Sequence, residues 1–275
     1  MAYQDEIKKH FENNKAIFFG KIEDGKWRNS EKKYPHILPK DKENLNLLPT
    51  YRNSLEIYLQ NNKRNLKKHI YFHHLNSSQA MCLNFFFPLL EEKELDVILK
   101  YLGFENEKIN YEKTCFEKNS TVELINKNYR PTNFDFYIET MSGKEIFFEI
   151  KYTEQEFGKA KNDEIHKNKF NDVYKNNLKV INEKYHQPEI FFKNYQILRN
   201  LICISENSYV VFLYPSKNKK IKIQAETAQS SILHENVKNN LKNLMWEELI
   251  VFTYDNVKNS QIKKQLKDFK EKYNI

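Results

Sequence analysis

The sequence predicts an α/β (α+β) fold, a mixed central β-sheet flanked by helices in the order α-β-β-β-α-β. Two strictly alternating segments, Asn133 to Glu139 and Glu145 to Tyr152, lie either side of a short turn and read as a hairpin. Tyr209 to Tyr214 is an unbroken apolar run closed by Pro215, the pattern of a strand buried on both faces. Polar and amphipathic stretches of helical period lie between and around these strands, so meandering strands give way to crossover helices.

Each element follows from local chemistry. The first 60 or so residues are polar and contain Pro35, Pro39 and Pro49, and Ala16 to Arg28 reads as a small hairpin turning at Asp24-Gly25. Residues 1–68 are therefore expected to be a partly helical N-terminal extension of modest structure, and 69–275 a catalytic core with a helical C-terminal elaboration. Ser54 to Leu59 starts a helix. A second begins at Ser77 or Ser78, either of which can cap it, and Pro88 is expected to kink it. Leu95, Ile98, Leu99 and Leu102 continue at helical spacing to a stop at Gly103. Tyr111 to Phe116 is a first strand before the hairpin. Glu154 to Leu178 reads as polar helix, Ile190 to Ile204 as helix, Ala225 to Leu244 as a long amphipathic helix and Leu249 to Tyr254 as the last strand, before a basic terminal helix.

Composition limits the function. The 275 residues suffice for a buried core. Only five are glycine, so a phosphate-cradling glycine-rich loop is excluded and no nucleotide cofactor is expected. A net charge of +8 is compatible with a polyanionic partner without requiring one. Cys82, Cys115 and Cys203 are scattered, without a CxxC pair, and read as buried thiols in a reducing compartment. The N-terminus lacks a signal-type apolar core, and the longest apolar run, Phe85 to Leu90, is too short to cross a bilayer. A cytoplasmic protein with no membrane partner is expected.

The informative segment runs from Asn133 to Lys151. Side chains repeat every second residue along a strand, so Glu145, Phe147, Glu149 and Lys151 share one face, and Asp135 lies with Tyr137 on its own strand. Loop parity decides whether Asp135 meets Glu149. A two-residue loop at Ser142-Gly143 pairs Asp135 with Ile150 and separates the carboxylates. A three-residue loop, Met141 to Gly143, pairs Thr140 with Lys144 and Asp135 with Glu149. It also puts the only local glycine at the third position, where this loop needs a left-handed residue. The three-residue loop is therefore expected.

Two carboxylates brought together in apolar surroundings repel, and a divalent cation relieves them. Removing one carboxylate should then leave stability unchanged or slightly raised. Few oxygen ligands suit Mg2+, with Mn2+ as a substitute, because magnesium keeps waters and takes phosphate oxygens. The metal ligands are expected to be Asp135, Glu149 and the Ile150 carbonyl. Lys151 would orient or help deprotonate water and offset charge on phosphate. The triplet Glu-x-Lys also occurs at Glu6/Lys8, Glu31/Lys33 and Glu91/Lys93, but only Glu149/Lys151 stands in an apolar strand one hairpin after an Asp.

This arrangement resembles the PD-(D/E)XK nuclease superfamily, in which the Asp lies on the second core strand and E-x-K on the third. His74-Leu-Asn-Ser-Ser-Gln-Ala80, Asn84-Phe-Phe and Thr132-Asn-Phe-Asp-Phe136 resemble a group of bacterial restriction-endonuclease-like proteins. The likeness covers roughly residues 70 to 160. Phe134 and not Pro precedes Asp135, with Pro131 four residues before it. The resemblance implies a restriction-endonuclease-like core and a magnesium-dependent DNA endonuclease, a type II restriction enzyme acting on double-stranded DNA, with a homodimer as one option. The alternatives are a repair or other nucleic-acid-processing nuclease, or an inactive DNA-binding relative.

Other residues carry two readings each. Gln79, at the start of a core helix, either orients water or phosphate or hydrogen-bonds at the helix end. Glu91 and Glu92 are either an extra acid for the site or a solvated helix end. His69, His73 and His74 have spacing open to a transition metal, although packing is the commoner fate of such histidines. Lys63, Arg64, Lys67 and Lys68 form one basic cluster, and Lys217, Lys219, Lys220 and Lys222 another. Either cluster is a phosphate grip or a solvated face.

Overall fold

The computed structural model describes residues 2–62, 66–123 and 129–275. Its helices and strands are α1 (Tyr3–Phe19), β1 (Gly25–Lys26), β2 (Lys33–Tyr34), α2 (Arg52–Asn61), α3 (Ser78–Glu91), α4 (Asp96–Leu102), β3 (Cys115–Asn119), β4 (Asn133–Glu139) and β5 (Glu145–Ile150). They continue with α5 (Glu164–Lys169), α6 (Pro188–Lys193), α7 (Tyr195–Leu201), β6 (Ser208–Tyr214), α8 (Lys219–Thr227), β7 (Leu241–Met245), α9 (Trp246–Asn256) and α10 (Ser260–Tyr273). The chain forms two compact units, one of Met1–Asn106, Ile150–Thr153 and Met245–Ile275, the other of Glu107–Glu149 and Glu154–Leu244.

The first unit is built around α3. Ser77 caps it, accepting from the Ala80 amide, and every residue from Ala80 to Leu89 is buried. A helix apolar all round belongs inside a core. Pro88 lies within this helix and has no N–H to give the Asn84 carbonyl. The Gln265 amide on α10 supplies the missing donor at 3.0 Å. Phe85 packs edge-on to Trp246 and tilted to Phe269, at 5.1 and 5.6 Å between ring centres, which joins α3 to α9 and α10.

The second unit carries the five-stranded mixed sheet, in the order β3-β4-β5-β6-β7. Strand β3 runs antiparallel to β4, and β4 antiparallel to β5. The fold is the mixed α/β class expected, with three meandering strands before the first crossover helices. In the hairpin, Phe136 pairs with Phe148 and Ile138 with Ile146, and all four are fully buried. Burying each such side chain contributes about 1.5–3 kcal/mol.

Several local expectations are corrected. Residues 16–19 end α1, a helix whose Ile7 and Phe11 are wholly buried, so the N-terminal region is more structured than its polarity suggests. The expected turn at Asp24-Gly25 is instead the start of β1, and the two strands of this small ribbon are joined through residues 27–32. Leu249 to Tyr254 is helix, not strand. Burial falls at Trp246, Leu249, Ile250 and Thr253, while Val251 is 51% exposed, the period of α9 and not of a sheet. The last strand is β7, in residues that read as the end of a long helix. That helix stops early, with α8 ending at Thr227 and the following wide turn at Ile232. Regular helix within 154–178 is confined to α5, continued by tighter and wider turns to Asn177. Cys82 and Cys203 are buried and Cys115 is only half-buried, and none of the three forms a disulfide among the described residues. Burial pushes the Cys203 thiol up to about 12. No described helix is long and apolar enough to cross a membrane.

Candidate active site

The geometry of the hairpin follows from its loop. The Thr140 amide donates to the Lys144 carbonyl at 2.9 Å and the Gly143 amide to the Thr140 carbonyl at 3.0 Å, which closes a three-residue loop. Gly143 has φ +86°, a conformation that residues with a Cβ rarely adopt. The pairing continues through Glu139 with Glu145, Ile138 with Ile146, Tyr137 with Phe147 and Phe136 with Phe148. The paired residues end at Phe136 with Phe148, one position short of Asp135 and Glu149. The Tyr137 and Phe147 rings touch, with centres 4.9 Å apart, so they share a face. The Phe134 ring also lies 4.9 Å from that of Phe147, so the two-residue alternation breaks between Phe134 and Tyr137 and does not run on through Asp135.

Glu149 is only 4% exposed. Its Oε1 accepts from the Gln196 amide at 2.7 Å and its Oε2 from the Asn200 amide at 3.2 Å. Both donors lie on α7, one turn apart. Gln196 is itself fixed, because its carbonyl oxygen accepts from the Gly158 amide at 2.9 Å and its backbone N–H reaches the Gly158 carbonyl at 3.0 Å. Arg199, between them on the same helix, meets the fully buried Glu123, with Nε 3.0 Å and Nη2 2.9 Å from Oε1. Tyr174 donates to the same oxygen at 2.6 Å, Lys169 lies 3.3 Å from it, and the Thr132 amide donates to Oε2. Burial opposes the Glu123 charge, but Arg199 and these hydrogen bonds hold its carboxyl below the usual range. A buried ion group thus sets the rotation of α7, and α7 sets the Glu149 carboxylate.

Gln196 and Asn200, which hold the Glu149 carboxylate, are the residues that the sequence reading missed. The signal was present, since the polar positions 196, 199 and 200 recur at helical spacing among the buried Ile197, Leu198 and Leu201. Gln196→Leu should keep the fold and weaken cleavage roughly 10- to 100-fold, the usual effect of losing a group that orients a ligand. Steady-state kinetics with a thermal melt check this, and unchanged kinetics would exclude the positioning role.

Lys151 follows Glu149 by two residues, on the 150–153 segment of the first unit. It is 6% exposed. Its neighbours are anchored within that unit, Tyr152 by its hydroxyl to the Tyr273 carbonyl at 2.7 Å and Thr153 by the Asn76 amide at 2.7 Å. The donor set suits a hydrated divalent cation. Beside the buried Glu149 carboxylate the buried Asn200 Oδ1 has no hydrogen-bond partner among the described residues, an acceptor suited to a metal-bound water. Among the described residues no three His, Cys, Asp or Glu gather as a metal cage, and this includes His69, His73 and His74.

Gln79, in the first turn of α3, bonds to the segment that precedes the helix. Its oxygen accepts from the His69 amide at 2.7 Å and its nitrogen donates to the Lys67 carbonyl at 2.9 Å. Glu91 is solvated and Glu92 accepts from the Tyr51 hydroxyl at 3.0 Å. Lys217, Lys219 and Lys220 are exposed around the start of α8, where the buried Asn218 caps the helix and holds the Glu154 carbonyl at 2.9 Å. Lys68 reaches Glu43 at 3.1 Å, whereas Lys63 and Arg64 lie outside the described residues.

With this geometry in place, comparison with protein families is decisive. A model described as restriction endonuclease associating with ARP matches residues 8–274. The chain belongs to this family. Searches of the curated proteins and of the solved structures return no match. Membership in a restriction-endonuclease family points to a nuclease and to DNA as its partner. The match spans both compact units, so the helical parts of this restriction-endonuclease-like chain belong to the family as much as the sheet does.

Proposed function

We propose that the chain is a magnesium-dependent DNA endonuclease of PD-(D/E)XK type, acting as a type II restriction enzyme. The observation that carries this is the three-residue loop and register of the β4–β5 hairpin, from which we infer that Asp135 and Glu149 come together, with Lys151 two residues beyond Glu149. In this reading Asp135, Glu149 and the Ile150 carbonyl hold Mg2+, or Mn2+ in its place. The bound ion supplies neutralisation of the paired carboxylates and Lewis acidity toward phosphate. Gln196 and Asn200 fix the Glu149 oxygens. The Lys151 ammonium orients the attacking water and offsets charge developing on the phosphate. Gln79 serves by holding the 67–69 segment. The lysines around α8 contact DNA phosphates, which positions the duplex without reading its sequence. From the description of its family, the protein is also proposed to associate with ARP.

Digestion of phage DNA with magnesium, followed by sequencing of the fragment ends, tests the restriction role. Discrete fragments with a shared terminal sequence are expected. Random degradation would point to a repair or processing nuclease, and an intact substrate to a binding protein that has lost catalysis.

A further inference from the structure

The protein has two tryptophans with opposite environments. Trp246 is fully buried, whereas Trp27 is 39% exposed. The backbone around Trp27 is pressed tightly into the first unit. The Gly25 amide donates to the Ile37 carbonyl at 2.7 Å, and a Cβ on Gly25 would lie 2.0 Å from the Leu38 carbonyl oxygen. Residues 36–38 in turn bond to 73–75, with Leu38 N to His73 O at 2.9 Å and Leu75 N to His36 O at 3.1 Å. The sequence segments around 27 and 71 are thereby held side by side.

Their rings form a contiguous cluster, tilted to one another by 43° to 60°. Trp27 lies 5.2 Å from Tyr71 and 4.9 Å from His74, Tyr71 lies 4.9 Å from His74, and His69 lies 5.3 Å from Tyr71, all between ring centres. The Arg28 guanidinium sits 5.1 Å over the Tyr71 ring. Trp27, Arg28 and His69 are exposed at this rim. Beneath it, His74 Nε2 is buried without a hydrogen-bond partner among the described residues. Burial, reinforced by the neighbouring His73, pushes His74 down to about 3, so its ring stays neutral and the cluster keeps its apolar faces near neutral pH.

An exposed indole face with a guanidinium close beside it, over the Tyr71 ring, matches a nucleobase and its phosphate, since every base has a π-face and Arg adds attraction to both. A polycationic chain of a DNA-acting family supplies the occupant. We propose that Trp27, Tyr71 and Arg28 form a stacking site for an unstacked base of the DNA substrate, in an overhang, a single strand or a flipped position. This rests on DNA being the substrate, but not on the assignment of the metal site.

The test uses the full chain with calcium in place of magnesium, titrated with a single-stranded oligonucleotide, the blunt duplex of the same sequence, and heparin. Because Trp246 is buried, a change in tryptophan emission reports Trp27. Quenching by the single strand, stronger than by the blunt duplex and absent with heparin, is expected. Trp27→Ala should weaken single-strand binding about tenfold, measured by fluorescence anisotropy, and Trp27→Phe should restore most of it. Arg28→Gln, which leaves the rings in place, should give a smaller loss. Unquenched Trp27 in a complex that anisotropy shows to be formed would overturn the stacking site and leave the nuclease reading standing. Equal quenching by heparin would overturn it in favour of a plain polyanion surface. Failure to bind any DNA would overturn both.

Discussion

Asp135→Asn and Glu149→Gln are expected to lower the cleavage rate by about 10³-fold or more, because each removes a charged ligand from a site worth several kcal/mol of transition-state stabilisation. Lys151→Met should cost roughly 10²- to 10⁴-fold, the range for a positioned proton-transfer or charge-stabilising group. Single-turnover cleavage of a plasmid substrate measures all three. Near-normal cleavage by Asp135→Asn would refute its role as a metal ligand. The choice of substitution matters for stability. Repulsion between two carboxylates by itself predicts a neutral or slightly stabilising loss of either one. At Glu149 the structure reverses this expectation, because truncation to Ala strands the Gln196 and Asn200 amides that donate to it. A buried donor left without an acceptor costs about 1–3 kcal/mol. Glu149→Ala should therefore melt earlier than the parent, and Glu149→Gln should melt closer to it.

Cleavage should require magnesium while folding does not. Two carboxylates and a carbonyl are too few ligands to hold the ion without water and substrate oxygens, so EDTA should abolish cutting and leave the melting curve almost unmoved. Calcium should permit DNA binding without efficient cleavage, since it is larger and activates bound water less well. Binding should also fall steeply with salt. If about six lysine and arginine contacts displace counterions, affinity drops on the order of 10³-fold between 50 and 200 mM salt. Electrophoretic mobility shifts across a salt series and cleavage assays across the ion series measure these effects. Cutting in EDTA at the magnesium rate would sink the metal assignment.

The hairpin was legible because everything that decides it is local. A two-residue side-chain period, a loop of three residues and a glycine at its third position determine the register, and the observed pairing follows it. The cap at Ser77 and the stop at Gly103 are local in the same sense. The apolar run Leu249 to Tyr254 was misread because a short run of large apolar residues fits a strand or a helix equally. Only the core around Trp246, which buries one residue in three or four, selects between them.

By itself, then, the sequence determined the α/β class, the meander of strands and the register of the hairpin that carries Asp135 and Glu149, because these depend on residues within about fifteen positions of each other. What only the tertiary structure decided lies further apart along the chain. Gln196 and Asn200 meet Glu149 from 47 and 51 residues away, and no periodicity connects two separated segments across that distance. Trp27 reaches Tyr71 only because Gly25 lies close enough to the 37–38 backbone to exclude a Cβ, and that backbone is bonded to residue 73. Local chemistry specifies which residues lie on one strand face, whereas partners brought together by packing are determined only when the whole core is assembled.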